Sequence, residues 1–185
     1  MKTLKNNKKN THTGFALWLM GPTSSGKTTL ATLLIKRLLD ENITAINYDG
    51  DEVRNFFGEG HGFTPADRLR VISTLTYLVN KATQCGVNVV VSALTANNDA
   101  RKHVRDTVSN LIVGYVKCPI NVCAERDPKG LYAKAHNNEI NTLIGVNSEY
   151  HAPENPDIII EADKLTPKLA VDAIVEYLHK VGHLA

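Results

Sequence analysis

Apolar residues fall into two rhythms along this chain. Residues 15–20 form an unbroken apolar run through Phe15, Leu17, Trp18 and Met20, stopped by Gly21 and Pro22, as expected of a strand buried on both faces. Residues 27–40 switch to helical spacing, with Leu30, Leu33, Leu34 and Leu38 on one side. A second strand is expected over 43–48 and a long helix over 65–84, with Thr64 as its N-cap and Pro65 in its first position. Residues 87–91, 111–116 and 158–160 give three more strands, and 167–181 a closing helix. Strands that alternate with helices and show little polar alternation of their own predict a parallel sheet covered on both faces. The expected fold class is therefore α/β, with a five-stranded parallel sheet. Residues 127–156, rich in Pro, Asn, His and Gly, have weak periodicity. A loop of that length in a compact domain is more often functional than idle.

Composition changes this picture little. A chain of 185 residues with 43% hydrophobic and 22% charged residues suits one soluble domain, expected over residues 14–185. The formal charge of +2 is misleading, because Lys2, Lys5, Lys8 and Lys9 lie in a polar leader, residues 1–13, that is expected to be disordered. Taking those four from the 21 basic residues leaves 17 against 19 acidic ones, which is no nucleic-acid footprint. Cys85, Cys118 and Cys123 form no CxxC pair and suit reduced thiols in a cytoplasmic protein. No apolar run reaches membrane-spanning length.

The chemistry begins between the first strand and the first helix. Gly21-Pro22-Thr23-Ser24-Ser25-Gly26-Lys27-Thr28 matches GxxxxGK[ST] in the strand-to-helix context that this motif requires. Glycines at 21 and 26 let backbone N–H groups face the phosphates, and the helix N-terminus adds partial positive charge. Lys27 supplies a full charge for the β- and γ-phosphates, and the Thr28 hydroxyl suits a Mg²⁺ ion. Thr29 either touches the α-phosphate or faces the sheet. The motif narrows the fold to a P-loop kinase that uses ATP and Mg²⁺.

Four further segments resemble one family. Tyr48-Asp49-Gly50-Asp51-Glu52-Val53-Arg54 and Gly62-Phe63-Thr64-Pro65-Ala66-Asp67-Arg68 are similar to the DGD-x-VR and GF-x-x-x-DR motifs of the adenylylsulfate kinases. Arg126-Asp127-Pro128-Lys129-Gly130-Leu131-Tyr132 and Ala152-Pro153-Glu154-Asn155-Pro156 match that family's RDPKGLY and APENP. The resemblance runs in order from residue 21 to 156. It implies a kinase acting on the ribose 3′-hydroxyl of a nucleotide, in the family adenosine 5′-phosphosulfate. By carry-over, Asp51 is the general base or orienter, with Asp49 beside it near the metal. Arg54 and Arg68 are ligands for the acceptor's charged 5′ group, and Phe63 stacks on its base. The resemblance also implies that 127–156 is a lid carrying Lys129, Tyr132 and Lys134, and that the protein is a homodimer. Asp51 also suits the N-cap of a helix at 52–57, a role that does not exclude the first, and Tyr132 equally suits a hydrophobic anchor for the lid.

The departures from the family pattern lie on the acceptor side. Glu52 replaces an asparagine, and Val71 replaces an asparagine that helps hold the acceptor. Leu94-Thr95-Ala96 replaces an ISP motif whose serine can be phosphorylated. Leu143 replaces a lid phenylalanine that forms the second wall of the base pocket. The donor side is intact, so the expected activity is adenylylsulfate to 3′-phosphoadenylylsulfate. The alternative is the same transfer to another nucleotide, such as a cytidine diphosphoramidate-like derivative used in capsule synthesis. A non-catalytic nucleotide-binding module would be expected to have lost the P-loop or Asp51.

Overall fold

The computed structural model describes residues 13–58, 60 and 62–184. Apart from Thr13, the expected leader lies outside the described residues. Strands β1 (Ala16–Met20), β2 (Ala45–Asp49), β3 (Asn88–Ser92), β4 (Leu111–Lys117) and β5 (Ile158–Glu161) form one sheet of order β2-β3-β1-β4-β5. All four pairings are parallel, with Leu17 opposite Val90 on one side and Ile112 on the other.

The unbroken apolar runs are explained by two cores. Phe15, Leu17 and Leu19 face one cluster with Leu30, Leu34 and Leu38 of α1 (Lys27–Asp40) and Ile174 and Leu178 of α7 (Pro167–Lys180). Ala16, Trp18 and Met20 face the other, with Val71, Ile72, Leu75 and Val79 of α3 (Pro65–Gln84) and Ala100 and Val104 of α4 (Asn98–Thr107). Each residue of β1 is buried, so the central strand cannot show polar alternation. Gly114 permits this packing, since a Cβ there would stand 2.9 Å from Leu19 Cδ2.

A third, smaller cluster lies under the segment expected to be a lid. Helices α5 (Ile120–Arg126) and α6 (Leu131–His136) enclose Cys118, Cys123, Tyr132, Ala135 and Leu143. Thr64 caps α3 with a reciprocal bond to Asp67, and Pro65 opens the helix as expected. The helix expected at 52–57 is α2 (Gly50–Phe56), and its cap is Asp49 rather than Asp51, because the Asp49 side chain accepts from the Asp51 N–H. Among the described residues no helix is long and apolar enough to cross a membrane.

Candidate active site

Three loops leave the C-terminal ends of β1, β2 and β3 side by side, the place where open α/β sheets bind ligands. The P-loop turns through Ser24 (φ 62°) and Gly26 (φ 104°) into α1. A Cβ on Gly21 would stand 2.5 Å from the Val116 carbonyl oxygen, so only glycine lets the loop lie this close to β4. The hydroxyls of Ser24 and Ser25 are buried without a partner among the described residues. Such orphaned polar atoms fit a cradle meant for an anion. Lys27 Nζ donates to the carbonyls of Gly21 and Pro22 at 2.9 and 2.7 Å. Burial lowers its pKa to about 8, opposed chiefly by the carboxylate of Asp51. Thr23 is partly covered, while Thr28 and Thr29 are exposed at the start of α1.

Asp49 is the junction of the site. It is buried, and its Oδ2 accepts from the Thr28 hydroxyl at 2.8 Å and the Ser92 hydroxyl at 2.7 Å. Its Oδ1 accepts from the Asp51 N–H at 2.8 Å. One carboxylate thus binds the P-loop, β3 and α2 together, and Ser92 is a partner that no sequence motif announced. Asp49 was expected beside Asp51 near the metal; two of its bonds face Thr28 and β3, and the third holds the Asp51 N–H. Asp51, the second residue of α2, is exposed and pairs with Lys129 at 2.5 Å. Among the described residues no three His, Cys, Asp or Glu gather as a metal cluster. Mg²⁺ takes one or two protein oxygens and relies on water and substrate phosphates. The Thr28 hydroxyl and Asp49 carboxylate are a donor set of that kind.

Near Asp51, Arg54, Phe63 and Arg68 come together. The guanidinium carbons lie 4.5 and 5.5 Å from the Phe63 ring centroid. Arg54 donates to the Gly62 carbonyl, and Arg68 to the carbonyls of Phe63 and Thr142, both at 2.9 Å. Phe63 itself is 48% exposed, so its ring is no core residue. Burial lowers the pKa of both arginines. Lys134 is exposed on α6. Leu143 is not a free pocket wall: it is buried among Cys118, Cys123, Tyr132 and Ala135. Val71, at the position of the family's asparagine, is also buried, in the core beneath α3.

Several partnerships were not legible beforehand. Tyr132 is buried, and its hydroxyl donates to the Thr23 carbonyl at 3.0 Å, pinning α6 to the P-loop. Arg126 reaches the carbonyls of Ser25 and Ala162 at 3.4 and 2.7 Å. Thr95 is buried with φ 43°, its hydroxyl accepting from the Trp18 indole N–H at 3.0 Å.

Fold and site together define a P-loop kinase. The adenylylsulphate kinase family model matches residues 13–161, and the chain belongs to that family. It is 38% identical to the adenylyl-sulfate kinase of Rippkaea orientalis, over 93% of this chain and 95% of the relative. It is 33% identical to a probable adenylyl-sulfate kinase of Pyrococcus abyssi, over 92% and 98%. Among solved structures, the Mycobacterium tuberculosis APS kinase in complex with AMPPNP and APS is 30% identical, with a TM-score of 0.85 and coverage of 90% and 98%. Shikimate kinase from Aquifex aeolicus shares the fold, at 21% identity, a TM-score of 0.54 and coverage of 90% and 98%.

Proposed function

We propose that this protein transfers the γ-phosphoryl group of ATP to the ribose 3′-hydroxyl of adenylylsulfate, giving 3′-phosphoadenylylsulfate. The observation that carries this reading is that the Asp51 carboxylate is near enough to favour the charged forms of both the P-loop lysine and Arg54, which itself lies over the Phe63 ring with Arg68. A donor bound on residues 21–29 and an acceptor stacked on Phe63 would meet at that carboxylate. Family membership supports the choice of acceptor.

The proposed roles follow from charge and reach. Backbone N–H groups of the P-loop and the hydroxyls of Ser24 and Ser25 hold phosphate oxygens. Lys27 follows the migrating group with its positive charge. Asp51 orients the 3′-hydroxyl and accepts its proton, which suffices because phosphoryl transfer has a loose transition state. Thr28 and Asp49 would hold Mg²⁺, whose contribution when bound is to neutralise charge on the β- and γ-phosphate oxygens. Arg54 and Arg68 receive the acceptor's 5′ anion, and Phe63 stacks on its base. Residues 127–156 close as a lid that excludes water, carrying Lys129 and Lys134 over the phosphates. We further propose a cytoplasmic homodimer.

A second acceptor class has one observation in its favour. Both positions where this chain departs from the adenine pocket, Val71 and Leu143, are buried in apolar cores. That leaves Phe63 as the base's aromatic wall, and one wall suits a pyrimidine as well as a purine. A product assay with ATP, Mg²⁺ and a panel of adenylylsulfate and cytidine diphosphate derivatives decides between them. A cytidine derivative turned over a hundredfold more efficiently than adenylylsulfate would overturn the first reading.

A further inference from the structure

Helix α4 carries a buried arginine that the phosphoryl chemistry does not employ. Arg101 is 7% exposed, and its Nε donates to the Thr95 carbonyl at 2.8 Å. Its two terminal nitrogens donate to the carbonyls of Ala152, at 3.0 Å, and His151. The guanidinium carbon lies 5.9 Å from the Tyr150 ring centroid, and Tyr150 stacks on Tyr115 at 6.5 Å. One turn further along the helix, Arg105 donates to the carbonyls of Glu154 and Asn155 at 2.7 and 2.8 Å. Two side chains on one face of α4 therefore hold five backbone carbonyls, four of them in 151–155.

We propose that Arg101, supported by Arg105, is a positioning residue that fixes the returning hinge of the lid, so that the rest of the lid closes on the acceptor from an anchored root. A buried guanidinium paired with carbonyls and a ring face, rather than a carboxylate, is costly to keep. Its use lies in geometry: the planar fork reaches three carbonyls at fixed angles, which an ammonium on a flexible stem cannot do. The outgoing root is held separately, by Arg126 on Ser25 and Ala162. Arg101 also binds the loop after β3, whose last residue, Ser92, bonds Asp49. The hinge and the carboxylate junction of the site thus share a frame only a few residues long.

The proposal rests on the lid reading given above, and its test separates the two. Hydrogen exchange is measured on the unliganded full-length protein for wild type, Arg101→Lys and Arg105→Ala. Arg105 is itself exposed, so the second variant keeps the test valid if the first folds poorly. Exchange in 143–155 is expected to accelerate about tenfold in either variant, while β1 and β4 keep their protection. In steady-state assays the KM for the acceptor is expected to rise about five- to tenfold, with the KM for ATP within about twofold of wild type. Wild-type exchange in 143–155, or an equal rise across the whole sheet, would overturn the hinge. Accelerated exchange with both KM values unchanged would overturn its link to the acceptor. Exchange in the unliganded protein does not depend on which acceptor is correct, so a wrong acceptor and a wrong hinge give different results.

Discussion

The ammonium of Lys129, two residues beyond the start of the proposed lid, rests on the carboxylate of Asp51 at 2.5 Å. Both groups are more than half exposed, so the pair adds little to stability and is free to exchange partners. An incoming acceptor hydroxyl can take the place of Lys129 on Asp51 and release the ammonium toward the phosphates. Asp51→Asn is expected to lower kcat by at least about 10²-fold with ATP affinity close to wild type. Lys129→Ala is expected to lower kcat as well, and to leave the melting temperature unchanged. Nucleotide titration and single-turnover kinetics check both. Collapse of ATP binding in Asp51→Asn with turnover retained at saturation would move Asp51 to the metal side.

Lys27 gives the protein a pH signature. Burial lowers its pKa from 10.5 to about 8 in the unliganded protein. Between those two values the unfolded chain binds more protons than the folded one, so this group's contribution to stability improves as pH rises through that window. Below about pH 8 both states are protonated and its contribution is flat. Phosphate oxygens favour the charged form, so ATP binding above pH 8 is expected to take up protons, and affinity to weaken as pH climbs. Calorimetry in buffers of different ionisation enthalpy measures that uptake. Lys27→Ala should abolish it and lower turnover at least about 10²-fold.

Restoring the family's residues at 71 and 143 is expected to harm this protein. Val71→Asn would place an amide beside Trp18, Ile72 and Leu75, costing about 1–3 kcal/mol and about 3–10 °C in Tm. Leu143→Phe would overfill the cluster around Cys123 and Tyr132, at about 1–3 kcal/mol. Thermal denaturation checks each, and improved kcat/KM for adenylylsulfate in either variant would show that the side chain turns outward on binding.

Phe63→Ala is the complementary case. The ring is half exposed, so Tm is expected to stay within a degree or two of wild type, roughly the range of surface substitutions. Loss of base stacking, worth about 1–3 kcal/mol, should raise the acceptor KM about five- to 150-fold whatever the base. A variant with wild-type acceptor kinetics would remove Phe63 from the pocket.

The sequence was most informative where local chemistry decides the outcome. Helices α1 and α3 fall on the expected residues because a P-loop glycine and a Thr64–Pro65 cap mark their starts. The five strands were visible as apolar runs, with ends displaced by a residue or two because ladder bonds rather than composition close them. Helix α4 was missed: its residues are mostly polar, and only Ala100, Arg101 and Val104 are buried. The short helices α5 and α6 have too few turns to show a period. Within the site, the P-loop motif named Lys27 and the family resemblance named Asp49 and Asp51, while the alternative of a helix cap at Asp51 falls instead to Asp49. The inward packing of Val71 and Leu143 and the partners of Arg101, about 50 residues away along the chain, depend on tertiary packing that no local pattern encodes.

Thr95 carries a consequence for control. Its position is the one at which the family's serine can be phosphorylated, yet here the residue is 4% exposed and its hydroxyl holds the Trp18 indole. A phosphate on that oxygen would displace the tryptophan and carry about two negative charges against the apolar layer beneath α3 and α4. The folded protein is closed to covalent switching at this residue. A covalent mark at that point would first need the tryptophan layer to open.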